Sequence, residues 1–307
     1  MTTKSFLATR SGSRSRLSAI GKAVSYLTLA FVGALLVSAV AKGLLGASLL
    51  QLAQGGTATG TARAVLLLLG LVIVPTALVL RIFKEPFQLS AWAFGSAMKL
   101  TAWGLATGFI LLAIMAGLMW LLGAVTFGIA TPTISAAISG LMMSAILWLA
   151  QAAGEEGLHR GYAFVQICRA LSFWPTAVLS SAWFMYGHIG NEGETVLGII
   201  AAGLLGLALS YSLLKTGSLW FALGFHASWN FSQSFIFGFN NSGSKPPASL
   251  LSATLDGSPL LTGGTTGPEA SLLVLPVLIV LFAIIQRVAV PTCERSGSPT
   301  PSIPTTR

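Results

Sequence analysis

Apolar positions gather in eight runs of about 20 residues, each long enough as a helix to cross a hydrocarbon layer roughly 30 Å thick. The runs fall at residues 23–41, 64–80, 100–122, 134–155, 174–190, 196–214, 218–237 and 270–286. They predict an all-α fold, a polytopic transmembrane helical bundle of eight spans. Gly, Ser, Thr and Pro crowd residues 238–269, which predicts a flexible external loop. Ser, Pro and Thr recur through 291–307, which predicts a disordered tail.

Composition agrees with the pattern. Hydrophobic residues make up 54% of the chain and charged residues only 8%, against roughly 25% charged in soluble domains. The net charge of +9 could suggest a nucleic-acid partner, but no stripe of interleaved basic and aromatic residues accompanies it. Topology accounts for it instead, because basic residues hold cytoplasmic loops. Of 17 basic residues, only Lys42, Arg63 and Lys245 fall on the outer side when the N-terminus is placed inside and the spans alternate. Both termini are then cytoplasmic, and membrane lipid is the expected surrounding partner. Residues 1–22 carry Lys4, Arg10, Arg14, Arg16 and Lys22 with no acid, and read as a cytoplasmic anchor rather than a cleaved leader. Residues 23–133 form the N-terminal helices and 270–290 the last span. Cys168 and Cys293 read as unpaired thiols.

Charge is concentrated only at residues 154–162, Gly-Glu-Glu-Gly-Leu-His-Arg-Gly-Tyr. The apolar run before it delivers Glu155 and Glu156 into or against the hydrocarbon, where carboxylates are costly and are functional candidates by default. Helical spacing pairs Glu156 with Arg160 and Glu155 with His159. A buried Glu156–Arg160 ion pair would fix the helix and leave Glu155 for chemistry. His188 closes a second apolar run, and His226 and Asn230 share a helix face in a third. One such histidine could merely bond a neighbouring helix. Together, a glutamate and two histidines are what peptide hydrolysis requires: a carboxylate to take the proton of water, with imidazoles or a metal to hold the water and the oxyanion. His159 has ligand spacing to Glu155 but sits among Arg160 and Arg169, as an interfacial residue would. Trp174, Trp183, Trp220, Phe221 and Trp229 read as interface or packing residues. Glu155 lies near the inner end of its span and His188 near the outer end of its own, a conflict that eases if the fourth helix continues through Arg160 towards Arg169 and the fifth starts after Pro175, and both are expected.

Glu155-Glu156-x-x-x-Arg160, Phe184-x-x-x-His188 and His226-x-x-x-Asn230, in this order across residues 134–237, resemble the motifs of the CPBP intramembrane proteases, also called the Abi or type II CAAX prenyl endopeptidase family. The resemblance implies a catalytic membrane core at 134–237 that cleaves a peptide or membrane-protein substrate, prenylated in one branch, in a bacterial inner membrane or its equivalent. It implies Glu155 as general base, Glu156 and Arg160 as support, and His188 and His226 with Asn230 as ligands of a metal or stabilisers of the oxyanion. A zinc ion, another divalent metal, or a metal-free glutamate mechanism would each suit such a set. One departure is Gly157, where family members often carry a bulky apolar residue.

Other chemistries fit less well. A diaspartyl site needs two aspartates, and the chain has one, Asp256. The His-Glu-x-x-His zinc helix is absent from the sequence. A serine–histidine dyad using Ser180, Ser181 or Ser228 would leave both glutamates unexplained. Outside proteolysis, the same residues could serve a non-catalytic immunity or adaptor protein of this fold, or a proton carrier, although they form one compact set rather than a path.

Overall fold

The computed structural model describes residues 13–54, 57–130, 133–246 and 248–288. The tail 291–307, Cys293 and the first half of the basic N-terminal segment lie outside the described residues. Helices account for 75% of the described residues. They are α1 (Ser13–Leu45), α2 (Leu49–Gln54), α3 (Thr57–Leu68), α4 (Val74–Ile82), α5 (Ala97–Leu121), α6 (Ile134–Arg160), α7 (Tyr162–Leu171), α8 (Phe173–Tyr186), α9 (Val196–Thr216), α10 (Trp220–Phe231), α11 (Pro259–Thr262) and α12 (Val274–Arg287). A π-helical turn at Leu69–Ile73 joins α3 to α4, and another at Ser232–Ile236 ends α10.

All eight apolar runs are helical, and five helical stretches among the described residues are long and apolar enough to cross a membrane: Ser15–Leu44, Ala58–Ile82, Ala97–Leu121, Ile134–Leu171 and Val196–Thr216. The helices of the other three runs are shorter, at 14, 12 and 14 residues for α8, α10 and α12. Local chemistry sets several ends. Thr133 caps α6 by accepting the Ala136 N–H at 3.3 Å, and Thr195 caps α9 by accepting that of Gly198 at 3.0 Å. Gly217, at φ 71°, stops α9 in the left-handed conformation that glycine adopts freely.

The expected continuous fourth helix is broken. α6 ends at Arg160, Gly161 bends the chain at φ −82° and ψ −137°, and α7 begins at Tyr162. α8 likewise starts at Phe173, before Pro175, because proline is tolerated in the first helical turn, where its missing N–H has no helical partner. At 14 residues α8 extends about 21 Å. Its C-terminal end lies beside the last turn of α6, where His159 packs against Trp183 and Phe184.

Close backbone approach holds the bundle. Gly104 and Gly108 of α5 face Gly224 and the Phe221 and Phe225 carbonyls of α10 so tightly that a Cβ at any of these glycines would collide with backbone. Small residues four apart permit such contact between helices in lipid. α3 runs parallel to α6: the Thr61 hydroxyl donates to the Met143 carbonyl at 3.2 Å, and Leu68 lies beside Gly154. Around Met115, Met119, Leu209, Phe225 and Leu281 the helices α5, α9, α10 and α12 share the largest core, which also takes in Phe221 and Trp229. A second core joins α1 and α7 through buried Tyr26, Tyr162 and Phe164.

One correction concerns the loops. Within the expected flexible loop, β2 (Leu251–Leu255) pairs antiparallel with β1 (Val125–Ile129), and the short α11 follows. Both strands border glycine-rich turns that hide their alternation, so neither the strand pair nor this small departure from an all-α fold was predicted. Between α4 and α5, Glu85 accepts hydrogen bonds from Lys22 at 2.7 Å and Gln166 at 2.8 Å, and also from Tyr162. Burial pushes its carboxyl up, but these donors outweigh burial and hold it below the usual carboxylate range.

Candidate active site

The last two turns of α6 carry the first motif. Glu156 and Arg160 are fully buried, and one guanidinium nitrogen, Nη1, donates to both Glu156 oxygens at 2.9 Å. Arg160 Nε donates to the Gly206 carbonyl of α9 at 3.3 Å, and its guanidinium lies 5.0 Å from the Phe184 ring centre on α8. The expected buried ion pair is thus present, and it ties three helices together.

His226 of α10 rests on this pair. Its Nδ1 lies 2.8 Å from Glu156 Oε1, and a carboxylate already paired with Arg160 can only accept, so Nδ1 is the donor. Nε2 then faces the other way, 3.6 Å from Glu155 Oε2. Glu156 therefore orients the imidazole and Glu155 meets its far edge. The two carboxylates differ in access, with side-chain exposures of 31% for Glu155 and 0% for Glu156. Of the two, only Glu155 opens on a cavity, and His188, His226 and Asn230 line the same cavity.

His188 sits just past the end of α8, where its Nδ1 donates to the Phe184 carbonyl at 2.8 Å. That leaves Nε2 as a lone-pair acceptor. Asn230 is buried one turn beyond His226. All six residues of the three motifs, Glu155, Glu156, Arg160, His188, His226 and Asn230, thus belong to this cavity or to the ion pair beneath it. His159 is turned aside: its Nδ1 donates to the Glu155 carbonyl at 2.9 Å and its ring packs 4.5 Å from Trp183.

A metal fits this arrangement poorly. The Nδ1 contacts of His188 and His226 are those that usually orient metal-binding imidazoles. Yet among the described residues no three His, Cys, Asp or Glu side chains gather closely enough to hold an ion. A catalytic zinc needs three protein ligands at about 2.0–2.2 Å, so no step is routed through a metal below.

Sequence reading missed two contributors, Gln151 and Glu269, and marked Gly157 without its packing partner. Gln151, one turn before Glu155, donates to Glu155 Oε1 at 3.1 Å. It is a lone polar position in an apolar run, four residues from the motif, and that spacing was the available signal. Gly157 is required by packing, since a Cβ there would run into the Val72 side chain in the π turn after α3. Glu269 closes the far wall of the cavity, where it accepts the Ser242 N–H at 2.6 Å and a hydrogen bond from Gln233. Burial pushes its carboxyl up to about 7, against the lowering effect of those donors.

Comparison with curated proteins gives no match, and none of the solved structures matches. Residues 137–232 do match a family model, "Type II CAAX prenyl endopeptidase Rce1-like". The matched segment runs from the first turn of α6 to the end of α10 and includes every residue of the three motifs. On the motifs and this match together, residues 137–232 are similar to the CPBP/CAAX family of intramembrane proteases, and the match supports that family for this chain.

Proposed function

We propose that this protein is an endopeptidase that hydrolyses a peptide bond of a membrane-associated substrate with a water molecule activated by Glu155. The observation that carries this reading is the 3.6 Å approach of His226 Nε2 to Glu155 Oε2, above a Glu156–Arg160 pair that fixes the imidazole from below. Glu155 takes a proton from water, and the hydroxide attacks the scissile carbonyl carbon. His188 Nε2 accepts the other water hydrogen and orients the nucleophile. The Asn230 amide donates to the oxyanion, joined by His226 Nε2 when it carries its second proton. Collapse of the tetrahedral intermediate breaks the C–N bond, and Glu155 passes its proton to the leaving amine. Gln151 holds the Glu155 carboxylate towards the cavity at 3.1 Å.

No metal enters this scheme, and metal analysis of wild-type and His226→Ala protein tests that choice. The distribution of basic residues supports both termini on the cytoplasmic side, with α8, α10 and α12 completing eight spans. The direct test offers purified protein in liposomes a lipid-anchored peptide and reads products by mass spectrometry. Wild type should cut the peptide, and Glu155→Ala should be at least about 100-fold slower with unchanged melting behaviour. Equal rates would end the proposal. Complementation of a cellular phenotype by Glu155→Ala would point to an adaptor instead.

A further inference from the structure

Three carboxylates line the active-site cavity, Glu155, Glu194 and Glu269, and no lysine or arginine lines it among the described residues. Glu155 meets the edge of His226 and accepts from Gln151. Glu194 and Glu269 form no ion pair among the described residues. Carboxylates withdrawn from bulk water normally have a counter-charge, and this wall lacks one.

The two acids are neighbours. Glu194 precedes α9, and Glu269 lies in the short 3₁₀ turn Pro268–Ala270 ahead of α12. A Cβ at Gly198, in the first turn of α9, would run into both Glu194 Oε1 and Ala270. Glu269 is anchored by its bonds without being neutralised: its Oε1 accepts the Ser242 N–H at 2.6 Å and its Oε2 accepts from Gln233, while further lone pairs stay free. Gln233 is a separate sign of a missing donor. It is fully buried in the π turn after α10, and its Nε2 donates to the Asn240 carbonyl at 2.7 Å and to Glu269, while its Oε1 has no donor. Both partners of Nε2 are acceptors, so turning the amide over would not satisfy it. That oxygen is sealed from water, whereas Glu194 and Glu269 are half-buried and reach the cavity directly.

The rest of the lining selects among cations. Ala201, Ala202 and Leu205 of α9 and Val274, Val277 and Leu278 of α12 are apolar. A hydrated metal ion gains nothing from such walls, whereas the stem of a lysine packs on them while its ammonium meets the acids. An ammonium is a compact charge with three donors, which suits separate acceptors. A guanidinium fork prefers both oxygens of one carboxylate, and those of Glu269 already turn to Ser242 and Gln233.

We propose that Glu269 and Glu194, beside the apolar walls of α9 and α12, form a subsite for a lysine side chain of the peptide substrate. The assignment rests on the protease reading above and makes the two acids specificity residues outside the hydrolytic machinery.

The experiment uses lipid-anchored peptides that carry either lysine or norleucine, which has an uncharged stem, at one position at a time. Binding is measured on Glu155→Gln protein in nanodiscs of zwitterionic lipid and cleavage on protein with Glu155 intact, each with Glu269 and Glu194 unchanged, with Glu269→Gln, with Glu269→Asp and with Glu194→Gln. At one position lysine should bind about 10- to 100-fold more tightly than norleucine and lower KM accordingly, as suits charge-assisted hydrogen bonds. Glu269→Gln should remove that preference, and Glu269→Asp and Glu194→Gln should each keep part of it. Unchanged binding of the norleucine peptide across the variants excludes misfolding. Equal binding of lysine and norleucine at every position, or a preference that survives Glu269→Gln, overturns the proposal. So does calcium binding that Glu269→Gln abolishes while the two peptides bind alike, because the acids would then serve a metal ion. If the lysine preference follows Glu269 but no peptide is cut, the subsite stands and the protease reading fails.

Discussion

Two adjacent glutamates do different work because a helix points them about 100° apart. Glu156 faces the bundle and meets Arg160 and His226, whereas Glu155 faces the cavity and meets Gln151 and the edge of the same imidazole. Glu156→Gln leaves Arg160 buried without its counter-charge, and Arg160 Nη2 already lacks a partner. That substitution should cost on the order of 3–5 kcal/mol, read as a lower melting temperature and lower yield. A melting temperature equal to wild type would show that the pair does not hold the helix. This division was legible in the sequence from the i, i+4 spacing alone. The contact between His226 and Glu156 was not, because 70 positions separate them and only the packing of α10 on α6 brings them together.

At the scale of elements, α6 depends on the glycine that follows its two glutamates. Gly157 lets α6 lie against Val72, in the π turn that links α3 to α4. Gly157→Leu should destabilise the protein by about 1–3 kcal/mol through overpacking, and adding Val72→Ala should recover part of that loss in thermal melts. Additive losses in the double variant would show that the two side chains do not share the space. Apolar run length marked where the helices lie but not how long each is. α8 and α12 have 14 residues each, and the extra apolar positions around them belong to bends and caps. The pairing of β1 with β2 was invisible for a related reason: 122 positions separate Ile129 from its partner Leu251, and neither strand has a strong alternating pattern.

For the whole molecule, the essential property is convergence. α6 supplies Glu155 and Glu156, the end of α8 supplies His188, α10 supplies His226 and Asn230, and Glu269 ahead of α12 closes the far wall. Order and spacing of the motifs announced the first five, while Glu269 carried no motif. The most direct measurement is a double-mutant cycle on the cleavage rate, using Glu155→Gln, His226→Ala and the pair combined in one liposome assay. Residues that act on the same water as a unit lose their effect together. Each single variant should therefore fall at least about 100-fold, and the double variant should lie within about threefold of the slower single. Losses that multiply, or a Glu155→Gln protein as fast as wild type, would contradict a single glutamate–histidine site.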